Sequence, residues 1–218
     1  MNLQILHEGH RWVAVNKPAG IGVEKHYNYD TVEKRAYEQF RREGATKLPY
    51  VGIIHRLDRP VSGVLLLARN KTTLTAFNKI FAAGEVQKTY LALCTAPPPE
   101  EEGSLRHFLL KDKYGKKAIA ARRPLPNAKE AKLTYRFLDE IDGRYWLEVK
   151  PHTGKFHQIR VQLAAIGCPI WGDALYGSML PFHSNQIALH AQTLHFTPPN
   201  GEETITINAE IPSNWQTV

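Results

Sequence analysis

Ile53-Ile54-His55-Arg56-Leu57-Asp58-Arg59-Pro60-Val61-Ser62-Gly63-Val64-Leu65-Leu66-Leu67 is the stretch from which the rest of the chain can be read. Apolar runs flank a polar middle, and both read as buried strand. Pro60, Ser62 and Gly63 predict a turn or tight loop between them. Asp58 is the only carboxylate in the stretch, with Arg56 two residues before it and Arg59 one after. A carboxylate in a positive field is favoured in its ionised form, which suits a nucleophile better than a proton donor. The plainer alternative is a structural ion pair in a turn.

Composition sets the limits around this segment. At 218 residues, 43% hydrophobic and 22% charged, the chain has the make-up of an ordinary globular protein. It can bury a core as one large domain or two small ones. No apolar run approaches the ~18 residues of a membrane span. The start, Met1-Asn2-Leu3-Gln4-Ile5-Leu6, lacks the basic and apolar regions of a signal peptide. Cys94 and Cys168, far apart and in no metal-type spacing, are expected to be reduced buried thiols of a cytoplasmic protein, with a single disulfide as the alternative.

The net charge of +7 is unevenly placed. Residues 104–136 hold ten lysines and arginines against Asp112 and Glu130, a local net of +8, and the rest of the chain is close to neutral. Such a footprint suits a polyanion partner, and a solvated basic loop is the alternative.

Strands are expected at Trp12–Asn16, Val64–Ala68, Gln87–Cys94, Leu133–Leu138, Tyr145–Val149, Ile187–Phe196 and Glu203–Ala209, besides the Ile53-Ile54 run. Asp30 with Glu33 suggests a helix start, followed by Val32, Ala36 and Phe40 at i+4 spacing until Gly44. Asn70 can cap a second helix that carries Leu74, Phe77 and Phe81 on one face and stops at Gly84. Phe156, Ile159, Leu163 and Ile166 predict a third, from about Lys155 to Gly167. Pro97–Gly103 reads as a linker-like loop. About eight strands and three helices without regular alternation favour an α+β fold, a mainly antiparallel mixed β-sheet flanked by helices.

Two further groups carry candidate chemistry. Tyr90 shares a strand face with the small Ala92 and Cys94, which would leave its ring open to stack on a planar base; a core tyrosine is the commoner case. Lys155, His157 and Arg160 would open the third helix, where amides and dipole favour anions; an amphipathic helix with a polar first turn explains them as well. The histidine pairs 152/157 and 190/195 are each five apart, a spacing that gives no metal site on one helix face. No glycine-rich phosphate motif occurs.

Together these segments resemble the RluA-type family of RNA pseudouridine synthases. The resemblance rests on Val15-Asn16-Lys17-Pro18-Ala19-Gly20, His55 to Gly63, Gln87-Lys88-Thr89-Tyr90, Thr153 to Arg160, Pro169-Ile170-Trp171-Gly172-Asp173 and Leu189-His190-Ala191. They follow the family's order across nearly the whole chain. It implies a single pseudouridine-synthase-like catalytic domain over residues 1–218, without the S4-like domain some members carry at their N-terminus. It further implies Asp58 as the catalytic aspartate, Tyr90 stacking on the target base and Arg160 pairing with Asp58. Arg56 would enter the RNA stack where the uridine leaves, and Lys88, Arg122, Arg123 and Lys155 are the expected RNA contacts. Val61 stands where the family usually has Thr, Lys155 where it usually has Arg, and Pro198 where it usually has His.

The implied reaction is isomerisation of uridine to pseudouridine in structured RNA, tRNA and/or rRNA, with the target base flipped out. The Arg59-Pro60 pair tilts that choice towards tRNA. No metal or other cofactor, no membrane and no obligatory protein partner are expected, and a monomer is the expected state. A non-catalytic RNA-binding or chaperone protein, or an N-glycoside hydrolase releasing free uracil, are the other classes these residues admit.

Overall fold

Val64-Leu65-Leu66-Leu67-Ala68 has no polar side chain to offer solvent, and it forms the innermost strand of its region, β4 (Ser62–Ala68), buried at every residue. The computed structural model describes residues 2–41, 43, 46–199, 201 and 203–215. The chain divides into two compact units, one of residues up to Lys88 together with those from Ala191 onward, the other Thr89–His190.

In the first unit, β1 (Gln4–Gly9) and β2 (Trp12–Lys17) form a hairpin, and β2 pairs antiparallel with β4 from Trp12↔Ala68 to Lys17↔Gly63. The short β3 (Gly52–Ile53) also pairs with β4, and β11 (Ile205–Asn208) pairs antiparallel with β10 (Leu189–Phe196). The predicted turn before β4 is shorter than its punctuation suggests. Val61 N donates to Asp58 O at 3.0 Å, so the turn is Asp58–Val61, and Ser62 and Gly63 already belong to the strand. Gly63 is needed there for a different reason: its φ is +120°, and a Cβ would lie 2.1 Å from Ala191 O.

Helix α2 (Lys71–Ala83) forms as its sequence predicts. Asn70 accepts from Thr73 N at 2.7 Å, and Gly84 closes the helix in the left-handed region. Phe77 meets Trp12 and Phe196 edge-on at centroid distances of 5.5 and 5.8 Å, the centre of this unit's apolar core. Helix α1 (Val32–Gln39) is capped by Thr31, whose hydroxyl accepts from Lys34 N; Asp30, the expected start, pairs with Arg35 instead. The helix stops at Phe40, before its expected end at Gly44, which lies outside the described residues.

The second unit is an antiparallel sheet in the order β5 (Gln87–Cys94), β9 (Arg144–Pro151), β8 (Lys129–Ile141), β6 (Glu102–Lys111) and β7 (Ala118–Ala121). Asp142 and Gly143, both at positive φ, turn β8 into β9 as their sequence suggests. The linker-like loop ends sooner than expected, because Glu102 and Gly103 already pair in β6. Helix α3 (Gln158–Ala165) packs Val161 against Leu109, Ala118 and Ala131.

That helix departs from its prediction at both ends. It begins three residues late, because His157 takes a left-handed φ of 53°, and Lys155 and His157 lie outside it. Its first turn is not polar surface: every residue from Gln158 to Leu163 is buried. The described residues form eleven strands and three α-helices, an α+β mixed sheet as expected, with β1, β6 and β7 added to the predicted set. Cys94 and Cys168 are buried free thiols. No helix among the described residues is long and apolar enough to cross a membrane.

Candidate active site

The Asp58 turn is built around a buried lysine. Pairing with Gly63 in β4 carries the end of β2 to the turn, and Lys17 is the last residue of β2. Its ammonium, 0% exposed, donates to Val61 O at 2.6 Å, Pro18 O at 3.0 Å and Arg59 O at 3.1 Å. Two of these carbonyls lie one and three residues beyond Asp58, so a single cation ties down the backbone that presents the carboxylate. Gly20 N adds a fourth tie, to Arg59 O at 2.9 Å. Burial pulls the Lys17 ammonium down from 10.5 to about 7; the nearby Asp58 charge opposes that fall and Arg59 adds to it.

The two arginines flanking Asp58 point their charge outward. Arg56 is exposed and makes a long contact, 3.4 Å, to Glu24. Arg59 is exposed, donates from Nε to Gly20 O at 2.9 Å, and lies over the Tyr29 ring at 5.1 Å. His55 behaves differently. It stacks on Phe81 at 5.0 Å and accepts from Leu66 N at Nε2, so its imidazole is neutral; burial, with Lys88 nearby, pushes it down to about 3. His55 is therefore a strut between the turn and β4. Lys88 is half-buried, and its burial lowers it as well.

In the second unit, Arg160 is 5% exposed and gripped along one edge by Asp173, which is 1% exposed: Nε donates to Oδ2 at 2.6 Å and a terminal NH₂ to Oδ1 at 2.8 Å. Its guanidinium also lies 5.0 Å from the centre of the Tyr176 ring. Tyr176 in turn accepts from Ala118 N at 2.7 Å and meets His157 Nδ1 at 2.9 Å. A fork-to-fork pair of this kind fixes the arginine plane far more tightly than one lysine contact could.

The residues before α3 are architectural. Gln158 Oε1 accepts from Thr153 Oγ1 at 2.8 Å and Lys155 N at 3.0 Å, and its Nε2 donates to Lys132 O at 2.9 Å. Lys155 itself is half-buried. Tyr90 is half-buried, opposite Val149 in β9, while Ala92 and Cys94 on its own face are fully buried.

The basic segment, read only as charge in the sequence, is β6, β7, β8 and their loops. Arg106 and Lys132 both meet Glu130, at 2.5 and 3.2 Å, and Arg136 meets Glu148 at 3.6 Å. Lys111 and Lys113 lie over Phe156 and Tyr114. Arg122 and Arg123 are exposed in the loop after β7. Exposed pairs of this kind add little to stability.

Two residues carry more of these sites than their sequence announced. Lys17 and Asp173 both stand in the motifs quoted above, but a lone lysine after a strand reads as surface. Asp173 is separated from Arg160 by 13 residues, too far for any local pattern to pair them.

Residues 11–165 match the family model described as RNA pseudouridylate synthase. A tRNA pseudouridine synthase C of Vibrio parahaemolyticus is 32% identical over 236 residues, covering 99% of this chain and 93% of that protein. A ribosomal large subunit pseudouridine synthase C of Rickettsia bellii is 29% identical, covering 98% and 70%. The fold is shared with human RNA Pseudouridylate Synthase Domain Containing 1, at a TM-score of 0.80 and 24% identity over 97% of this chain and 84% of that one. With both a family model and a relative above 30% identity running through the turn that carries Asp58, the chain belongs to the RNA pseudouridylate synthase family, in its RluA-type branch, whose members isomerise uridine within RNA.

Proposed function

We propose that Asp58 is the catalytic nucleophile or base of this isomerase, acting on specific uridines of structured tRNA and/or rRNA after the target base is flipped out. The observation that carries this reading is the construction of the Asp58 turn. One carboxylate is presented between two exposed arginines on a backbone anchored by the three carbonyl contacts of Lys17. The relatives named for tRNA and for ribosomal large subunit RNA support the substrate class.

The reaction breaks the bond from ribose C1′ to N1 and forms one from C1′ to C5. N1 gains a proton and C5 loses one, so composition is unchanged and no electrons are transferred. One ionised carboxylate is enough for this, whereas hydrolytic glycosidases usually employ two. Extruding the uridine costs a few kcal/mol. In this reading Arg56 fills the gap, helped by its weak hold on Glu24, and Tyr90 stacks on the extruded base, which is worth about 1–3 kcal/mol. Arg160, its plane set by Asp173, pairs with the Asp58 carboxylate. Lys88, Lys155, Arg122 and Arg123 contact the RNA backbone. Residues 1–218 then work as one catalytic domain, as a monomer in the cytoplasm and with no cofactor.

The test is incubation of the purified chain with tRNA and rRNA transcripts, followed by carbodiimide labelling of pseudouridine and chromatography for free base. Pseudouridine at discrete positions, formed by the native chain and not by Asp58→Asn, is expected. Release of uracil would make the chain a hydrolase, and equal activity of the variant would remove Asp58 from the chemistry.

A further inference from the structure

The segment between Val23 and Thr31 is a braced loop with an aromatic tip. Its ends are closed by Val32 N to Gly22 O and Glu33 N to Val23 O, both 3.0 Å, and by Lys25 N to Glu33 Oε2 at 2.7 Å. Inside it, His26 and Tyr29 stack at a centroid distance of 3.9 Å with an interplanar angle of 14°, and Asn28 N donates to His26 Nδ1 at 3.2 Å. Arg59 covers the Tyr29 ring at 5.1 Å and donates to Gly20 O at 2.9 Å. The residue next to Asp58 therefore pins this loop to the Asp58 turn.

What the brace displays is Tyr27, 98% exposed. A phenol ring so fully bared gains nothing for folding, while the order of the loop around it costs conformational entropy. The neighbouring charge suits a polyanion. Lys25 and Arg59 are exposed cations at this surface, Glu24 is matched by Arg56, and Asp30 is met by Arg35. A pre-ordered ring beside exposed guanidinium groups is the arrangement that stacks on unpaired bases while cations follow the phosphates.

We propose that Tyr27 is a base-stacking contact for an unpaired RNA nucleotide flanking the target uridine, held in position by the His26–Tyr29–Arg59 stack. This rests on Asp58 marking the reacting nucleotide. The contact is with a neighbour of the target, so it contributes to binding more than to the chemical step.

The test is fluorescence anisotropy of a short, unstructured, labelled RNA oligonucleotide against the full chain carrying Asp58→Asn, so that binding is read without turnover. Tyr27→Ala is expected to raise Kd roughly five- to a hundredfold, and Tyr27→Trp to restore it. Stacking releases no counterions, so the fold-change should persist from low to high salt, unlike that of a phosphate contact. In turnover assays of the otherwise native chain, Tyr27→Ala should raise KM more than it lowers kcat. An unchanged Kd for Tyr27→Ala, or a loss confined to low salt, overturns the proposal. These binding results are independent of whether Asp58→Asn is inactive. Continued turnover by Asp58→Asn would refute the catalytic assignment without touching the stacking measurement.

Discussion

The Asp58 turn and the Arg160–Asp173 pair are held in opposite ways. Asp58 sits half-buried in a turn whose rigidity comes from beneath, through backbone carbonyls tied to Lys17. Arg160 is withdrawn from solvent, and its orientation comes from a side-chain partner, Asp173, that meets it with two hydrogen bonds. In one place the backbone is fixed; in the other the side chain itself is fixed. The two should fail differently when broken.

The largest effect belongs to the buried pair. Asp173→Asn leaves an arginine charge buried without its counter-ion, and urea unfolding should show a loss of about 3–5 kcal/mol. Glu148→Gln, which releases only the more exposed Arg136 and Lys150, should cost about 0–1 kcal/mol. Equal costs would erase the distinction between the two kinds of construction.

Lys17→Met sharpens the other side. Losing the ammonium leaves carbonyl acceptors without their donor, at about 1–3 kcal/mol, and should lower kcat more than it raises KM because the Asp58 turn loosens. It also changes the pH response. The folded value of about 7 lies below the ordinary 10.5, so between those limits the unfolded chain binds more protons than the folded one. Stability from this group therefore grows as pH rises through that window and is lost as pH falls back towards 7. The gap in melting temperature between the native and Lys17→Met chains should be smallest near pH 7 and widen towards pH 10; a gap that does not change with pH would contradict the burial of a titrating amine.

The smallest effect is expected in the loop after β7. Replacing Arg122 and Arg123 with Gln should leave stability within about 0.5 kcal/mol. It should also reduce the salt dependence of RNA binding, by about 0.7 in log–log slope for each single-strand phosphate no longer neutralised. A slope unaltered by both substitutions would place that loop away from the RNA.

The same contrast explains what the sequence made legible. Strand β4 announces itself because five consecutive apolar residues have no other place to go, and α2 because Asn70, Phe77 and Gly84 give a cap, a face and a stop in the right order. Asp58 stands out as the lone acid among arginines. Arg160 could not be read as buried, since an arginine near a helix start looks like surface until the carboxylate that neutralises it is found 13 residues on. Lys17 is hidden for a related reason: its partners are carbonyls, which every residue carries and no side-chain pattern reveals. Strands β6 and β7 were masked by their own charge. Their cations drew attention to electrostatics, while the buried positions that define the strand, His107, Leu109 and Ala118, are sparse and not all apolar.

Catalysis is assigned to the carboxyl group of residue 58, and Asp58→Asn tests it with almost no change of shape. Pseudouridine formation in a transcript that the native chain modifies should disappear, with the Kd for the same transcript changed by less than about threefold, well under 1 kcal/mol. Measurable turnover by the variant at even about a hundredth of the native rate, which corresponds to only about 2.7 kcal/mol of barrier, would contradict an obligatory role for that carboxylate.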